Sequence, residues 1–142
     1  MTVVDASVIV DWIAPGVPPA SPTVALREAW VGGDIKLIAP WLMELEVRNA
    51  LLTGIRRGRW DGSDADRAET LLAELPVRIE DGAADVARAW DLSRRYDAHP
   101  VYDMIYVALA ERREVPFVTA DARLRNRLAG LEWVLAPEDA LP

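Results

Sequence analysis

Residues 101–121 read VYDMIYVALAERREVPFVTAD, and this stretch predicts a helix followed at once by a strand. Residues 101–113 are almost all apolar, which is typical of a buried helix, and residues 116–121 predict a short strand and turn. An aspartate nevertheless stands near each end, Asp103 and Asp121. Burying a carboxylate costs free energy unless it is paired, hydrogen-bonded or bound to a metal. The two acids therefore need a physical explanation.

The alternation of helix and strand extends outward over the whole chain. Further strands are predicted at residues 2–6, 35–40, 76–81 and 131–137. Further helices are predicted at residues 7–13, 24–32, 41–58, 83–97 and 122–130, with one more that Ser63 or Asp64 caps and that runs to about Leu75. Residues 14–23 contain four prolines and predict a loop. This order predicts one α/β domain over residues 1–142, with three layers, α/β/α, and a mostly parallel central sheet.

Composition limits the classes of protein that this chain can be. Its 142 residues are 51% apolar and 27% charged, which is typical of a globular domain. Cysteine is absent and no apolar run approaches the roughly 20 residues of a membrane helix, so we expect a cytoplasmic protein without a membrane partner. The net charge of −7 argues against a generally basic nucleic-acid surface. It does not exclude a nuclease, because divalent cations reverse the sign of an acidic pocket.

Two of the aspartates stand where predicted strands end. Asp5 ends the first strand and Asp121 follows the fourth. Open α/β sheets bind ligands beyond the carboxyl ends of their strands, which favours a functional role. Aspartate is also a favoured N-cap, and a helix is predicted after each of the two. For either acid alone, both interpretations stay open.

Two other acids lie on helix faces that are otherwise mostly apolar. Asp103 has no charged neighbour at helical spacing, and Tyr106 is among the residues that share its face. Glu46 lies on a face with apolar residues and with Asn49 one turn away. A buried hydrogen bond between Glu46 and Asn49 is the structural alternative. Both acids are predicted to point into the protein.

Together the four acids predict one convergent cluster. Mutual repulsion would raise their pKa values and destabilise the fold unless cations neutralised them. Sites made only of carboxylate oxygens suit Mg²⁺ or Mn²⁺. Such ions activate water and stabilise charge on a phosphoryl group, so the pattern favours phosphodiester hydrolysis.

Four stretches of the chain match a known family in order. They are VVDASVIVDW, APWLMELEVRNALL, YDMIYVALAE and PFVTADARL. In these stretches the sequence resembles the PIN-domain ribonucleases, and specifically the VapC-type toxins of bacterial toxin–antitoxin pairs. The resemblance implies a PIN-like domain that acts in the cytoplasm as a metal-dependent endoribonuclease. It also implies a homodimer that a small cognate antitoxin neutralises.

The resemblance also implies roles for individual residues. It assigns catalysis and the binding of Mg²⁺ or Mn²⁺ to Asp5, Glu46, Asp103 and Asp121. It assigns support of this site through hydrogen bonds to Ser7, Asn49 and Thr119. Water activated by the metal would then cut RNA and leave a 3′-hydroxyl and a 5′-phosphate. Residues 15–22 and 98–100 depart from the family pattern, which leaves substrate access and antitoxin contacts open.

A basic segment covers the C-terminus of the long third helix. Residues 54–60, GIRRGRW, contain Arg56, Arg57, Arg59 and Trp60. Such a cluster can grip RNA phosphates and stack on a base. Arginines at a helix C-terminus also complement the helix dipole, and docking of an antitoxin is a third interpretation. These alternatives stay open.

Other candidates and other functions are weaker. His99, the only histidine, is interpreted as a partly buried loop residue rather than a catalytic base, and Asp11 is not predicted to be a primary ligand. A phosphorylated receiver domain would need a lysine at a late strand end, whereas Lys36 is early in the chain. The alternative that remains is a catalytically silent PIN-like module that binds or regulates proteins.

Overall fold

The computed structural model describes residues 1–33 and 35–142, in which strands and helices alternate. The strands are β1 (Thr2–Val4), β2 (Leu37–Ala39), β3 (Val77–Ile79), β4 (Phe117–Val118) and β5 (Val134–Leu135). The helices are α1 (Ala6–Ile13), α2 (Pro22–Val31), α3 (Leu42–Arg56), α4 (Gly62–Leu72), α5 (Asp85–Arg95), α6 (Val101–Arg113) and α7 (Ala122–Arg127), and a 3₁₀ turn spans Pro137–Ala140. The predicted three-layer α/β/α fold is confirmed.

The central sheet is parallel throughout its five strands, in the order β3-β2-β1-β4-β5. Val3 in β1 pairs with Ile38 in β2 on one side and with Phe117 in β4 on the other. Strands β2 and β3 are therefore added on one side of β1, and β4 and β5 are added on its other side. A crevice forms at such a switch point, between the carboxyl ends of β1 and β4.

The stretch at residues 101–121 folds as its sequence predicts. Helix α6 covers residues 101–113 and ends at Glu114, whose backbone is left-handed with φ 52°. Tyr106 is fully buried and its ring stacks on that of Phe117 in β4, with centroids 5.7 Å apart. The apolar face of α6 packs on β1 and β4. This packing fixes the position of Asp103, which lies in the first turn of the helix.

A partly buried ion pair also joins α6 to α5. Asp85, which is 5% exposed, accepts hydrogen bonds from Arg112 Nε at 2.8 Å and Arg112 Nη2 at 3.1 Å. The Gly82 amide donates to the same carboxylate at 2.9 Å. Two-point pairing of this kind fixes direction as well as distance.

The starts of α2 and α4 differ from the sequence prediction for identifiable reasons, while the other helices begin within two residues of it. Pro22 and Thr23, predicted to end the loop, form the first turn of α2, because proline is well suited to the first helical position. Helix α4 is capped by Asp61 rather than by Ser63 or Asp64. The Asp61 carboxylate accepts the Asp64 amide at 2.8 Å, so the cap forms two residues earlier and the helix ends at Leu72.

Gly54 in α3 provides a test of how tightly the end of this helix is packed. A Cβ atom at this position would lie 2.0 Å from the Trp60 ring, whose Nε1 donates to the Leu51 carbonyl at 2.9 Å. We predict that Gly54→Ala lowers the free energy of unfolding by about 1–3 kcal/mol, although alanine is the better helix former. Urea denaturation measures this change.

Gly62→Ala is the matched control. Gly62 begins α4, and no heavy atom lies within 4 Å of the place that a Cβ atom would occupy there, so alanine should be neutral or stabilising. Equal stability of the parent and Gly54→Ala would contradict the packing of Trp60 on α3.

Candidate active site

A cavity of about 380 Å³ opens at the carboxyl ends of β1 and β4, and five carboxyl groups line it. It is lined by Ala6, Ser7, Val10 and Ala50 and by the acids Asp5, Asp11, Glu46, Asp103 and Asp121. All four of the acids predicted from the sequence are among them. Helices α1, α3 and α6 and the turn after β4 each contribute to this lining.

Asp5 follows β1 directly and is 6% exposed. It occupies the N-cap position of α1 without making a cap hydrogen bond. Its Oδ2 instead accepts the hydroxyls of Ser7 at 2.6 Å and Thr119 at 2.8 Å. Burial raises the pKa of Asp5, the two hydroxyls oppose this shift, and the charge of Asp103 adds to it. Asp5 therefore occupies the N-cap position but does not cap α1 through its side chain. Ser7 and Thr119 both contact it, and their support of a cation site stays a prediction.

Asp121 does cap a helix. Its Oδ1 accepts the backbone amides of Arg123 at 2.9 Å and Leu124 at 3.1 Å at the start of α7. Its own amide donates to Thr119 Oγ1 at 3.1 Å, which links it to the group that holds Asp5. The cap and the cavity are compatible because a carboxylate has a second oxygen to present.

Glu46 on α3 is the least satisfied of these acids. Among the described residues, its Oε1 is buried without a hydrogen-bond partner. Burial raises the pKa of Glu46 to about 7; the Tyr106 hydroxyl opposes the shift, while the charges of Asp5 and Asp103 add to it. The Tyr106 hydroxyl is also buried without a hydrogen-bond partner among the described residues.

Asn49 does not take part in this arrangement. It is exposed and does not line the cavity, and the hydrogen bond to Glu46 that the sequence offered as an alternative is not formed. The Asn49 side chain lies on the exposed side of α3, where water satisfies its amide, whereas Glu46 lines the cavity. The structure thus gives no contact for the supporting role predicted for Asn49.

Two residues contribute more than their sequence suggested. Asp11 lines the cavity and accepts the Thr23 hydroxyl at 3.1 Å. Burial raises the pKa of Asp11, and the Thr23 hydroxyl opposes this shift. The signal for Asp11 was its i+4 spacing from Ser7, which puts both on one helix face. His99 contacts the cavity indirectly, because its Nε2 lies 2.6 Å from Asp103 Oδ2.

The carboxyl groups fit a hard divalent cation that keeps part of its water. In residues 1–33 and 35–142, no three acid or imidazole side chains stand close enough to hold one ion in common. Mg²⁺ usually binds through only one or two carboxylates and retains several waters, so a common three-residue cage is not required. The buried, partnerless oxygen of Glu46 is the observation that favours a missing positive partner.

The basic segment at the end of α3 lies outside the cavity. Arg56, Arg57 and Arg59 are exposed, and Arg56 Nη2 donates to Thr53 Oγ1 at 2.9 Å. Trp60 packs on Gly54 and uses its indole N–H within the fold, so it has a structural role that the sequence did not predict. Contact of the three arginines with RNA or an antitoxin stays a prediction.

A larger cavity of about 520 Å³ lies at the other end of β4, beside Pro116 and Trp133. Two acids line it: Glu111 is paired with Arg88 through bonds of 2.6 and 2.7 Å, and Glu114 is the residue at which α6 ends. We take the smaller cavity as the candidate site because its five carboxyl groups can bind a cation, although its volume is smaller.

Comparison with protein families agrees with this geometry. The family model of the PIN domain matches residues 2–128. The chain belongs to the PIN-domain family. This membership confirms the family that the four sequence stretches resemble.

Solved structures with the same fold include two bacterial proteins. A chain of a toxin–antitoxin complex from Klebsiella pneumoniae is similar with a TM-score of 0.64 and 17% identity, over 96% of this chain and 98% of that one. Mycobacterium tuberculosis VapC20, a toxin that cleaves the sarcin-ricin loop, has a TM-score of 0.67 and 18% identity, over 94% of this chain and 98% of that one. A search of curated proteins found no significant match. None of the helices described is long and apolar enough to cross a membrane.

The raised pKa of Glu46 predicts how stability depends on pH. The pKa of this carboxyl group rises on folding from its usual value near 4.5 to about 7. The folded protein therefore loses stability as the pH increases from about 4.5 to about 7. We predict that Glu46→Gln raises the free energy of unfolding of the metal-free protein at pH 8 by about 1 kcal/mol, after allowance for its partial exposure, with little effect near pH 4. Urea denaturation in a chelator measures both values.

Glu44→Gln on the same helix is the control. It removes an ion pair with Arg48 of 2.6 Å rather than a partnerless carboxyl, so it should gain no stability at pH 8. A Glu46→Gln protein that is less stable than the parent at pH 8 would contradict the described environment of Glu46.

Proposed function

We propose that this chain is a Mg²⁺- or Mn²⁺-dependent endoribonuclease and the toxin of a VapBC-type toxin–antitoxin pair. The observation that carries the proposal is the convergence of Asp5, Glu46, Asp103 and Asp121 on one cavity at the switch point of the sheet. Glu46 Oε1 supports it, because a buried carboxylate oxygen without a partner is stabilised by a cation.

The four acids would hold one or two cations, directly or through water. A bound cation supplies activated water and stabilises the negative charge that develops on the scissile phosphate. Asp5 is the anchor of the set, because two hydroxyl donors fix its carboxylate before any ligand arrives. Asp121 is fixed by two backbone amides in the same way. Such prior orientation lowers the cost of assembling the site.

Ser7 and Thr119 act through Asp5 rather than on the substrate. Both hydroxyls donate to the same oxygen, Asp5 Oδ2, so the proposed ligand atom is Oδ1. Thr119 Oγ1 also accepts the Asp121 amide, and Ser7 Oγ accepts the Ala120 amide at 3.0 Å. Two strand ends are thereby joined through hydroxyl groups. Loss of either hydroxyl should weaken cation binding by about 10–100-fold.

The polarity of the cavity agrees with a substrate that binds after the cation. With a net charge of −7 and five carboxyls in one cavity, the empty site repels phosphate. Bound divalent cations reverse that local sign. The exposed Arg56, Arg57 and Arg59 offer positive charge at the end of α3, where we propose contact with RNA or with the antitoxin.

The biological role rests on the resemblance and on fold. The two similar structures come from a toxin–antitoxin complex and from an RNA-cleaving toxin, which supports a toxin role here. We propose that the chain acts in the cytoplasm as a homodimer and that a small cognate antitoxin neutralises it. A catalytically silent binding module is the alternative, which is favoured by the lack, among the described residues, of three acids close enough to share one ion.

Cleavage of RNA by the purified, antitoxin-free chain tests the proposal. Asp5→Asn and Asp103→Asn keep the shape of each side chain and remove its charge. We predict that each lowers the cleavage rate in Mg²⁺ by at least about 100-fold, because both remove a proposed ligand rather than a group that orients one. A 5′-end-labelled RNA assay measures the rates, and the products should carry 5′-phosphates.

Asp91→Asn, on the exposed face of α5, is the control and should cleave at the parent rate. Melting temperatures in a chelator establish that each variant is folded. Parental rates in folded Asp5→Asn and Asp103→Asn would refute the metal-dependent mechanism. A parent protein that neither cleaves RNA nor gains thermal stability from Mn²⁺ would favour the silent module.

A further inference from the structure

His99 makes a close contact with one of the proposed ligands. Its Nε2 lies 2.6 Å from Asp103 Oδ2, and its side chain is only 15% exposed. A neutral imidazole with its proton on Nε2 donates a hydrogen bond across this distance. Asp103 Oδ1 has no protein partner within the described part of the chain, so it stays available to the cavity.

A strained turn delivers His99 to this position. Asp97 and Ala98 both have φ 55°, a left-handed conformation that side-chain-bearing residues adopt at a cost. Arg127 Nη1 donates to Asp97 at 2.9 Å at the surface, and the His99 amide donates to the Tyr96 carbonyl at 3.1 Å. Two consecutive strained residues directly before His99 indicate that the surrounding structure fixes where the imidazole lies.

Asp103 depends on His99 more than the neighbouring acids depend on any one residue. Asp5 has two hydroxyl donors and Asp121 has two backbone amides. Among the described residues, the one hydrogen bond of the Asp103 carboxylate is that of His99. Removing the imidazole would leave this side chain free to change rotamer.

We propose that His99 is a positioning residue that holds the Asp103 carboxylate in the orientation required for cation binding. The inference rests on the proposed function, since it concerns how one of the proposed ligands is oriented. This positioning role requires a hydrogen-bond donor at the place of Nε2. It does not require the imidazole to change its charge. His99 therefore acts through Asp103 and need not touch RNA.

Mn²⁺ titration of the metal-free, full-length protein tests this role in three variants. His99→Leu removes the donor, His99→Gln keeps an amide donor near the place of Nε2, and Ala98→Gly alters the same turn without touching Asp103. We expect His99→Leu to bind Mn²⁺ about 10-fold more weakly, and His99→Gln to recover most of that loss. Ala98→Gly should bind as the parent does, because glycine accepts φ 55° readily.

RNA cleavage separates positioning from a general loss of structure. The Mn²⁺ concentration for half-maximal cleavage by His99→Leu should rise about 10-fold, while the KM for RNA at saturating Mn²⁺ stays near that of the parent. Melting temperatures in a chelator should show His99→Leu to be folded. A merely structural role would lower the melting temperature without rescue of Mn²⁺ affinity in His99→Gln.

The outcomes distinguish this inference from the proposed function. If the parent binds Mn²⁺ and cleaves RNA while His99→Leu has the same Mn²⁺ affinity, the positioning role is wrong and the nuclease proposal stands. Equal weakening in His99→Leu and His99→Gln would also overturn it, because the donor would then be irrelevant. If the parent binds no Mn²⁺ and cleaves no RNA, both proposals fail.

Discussion

Crowding of negative charge in one partly buried cavity is the constraint on which the rest of this structure depends. Burial and mutual repulsion both favour the neutral carboxyl, and they raise the pKa of Asp5 and of Glu46. Three of the acids are stabilised by hydrogen-bond donors of different kinds. The donors are hydroxyls for Asp5, backbone amides for Asp121 and an imidazole for Asp103. Glu46 Oε1 is left without one among the described residues.

The apolar scaffold gives this arrangement its precision. Strands β1 and β4 are buried, and α6 packs on both, so the acids at their ends have little freedom to move apart. The Asp85–Arg112 pair fixes α6 against α5, more than two turns from the cavity. A site built on rigid elements tolerates repulsion that a flexible loop would relieve by opening. The packed scaffold can therefore hold the acids close together although their charges repel one another.

Local sequence pattern predicted much of this molecule. The helix at residues 101–113 and the aspartates at the strand ends were evident because apolar periodicity and strand order are local signals. Side-chain partners were not, since they depend on which elements meet. Asn49 shares a helix with Glu46 yet is exposed, and Asp11 gained its contact from Thr23 in the next helix. The contact of His99 with Asp103 spans only four residues, but it depends on the left-handed backbone of Asp97 and Ala98, which sequence pattern did not predict.

A Mn²⁺-soaked crystal studied by anomalous scattering measures most directly whether the acid cavity is a cation site. The expected result is an anomalous peak among Asp5, Glu46, Asp103 and Asp121, bound through carboxylate oxygens or their waters. A peak absent from this cavity at a Mn²⁺ concentration that supports RNA cleavage, or found only at another place on the protein, would contradict the cation site.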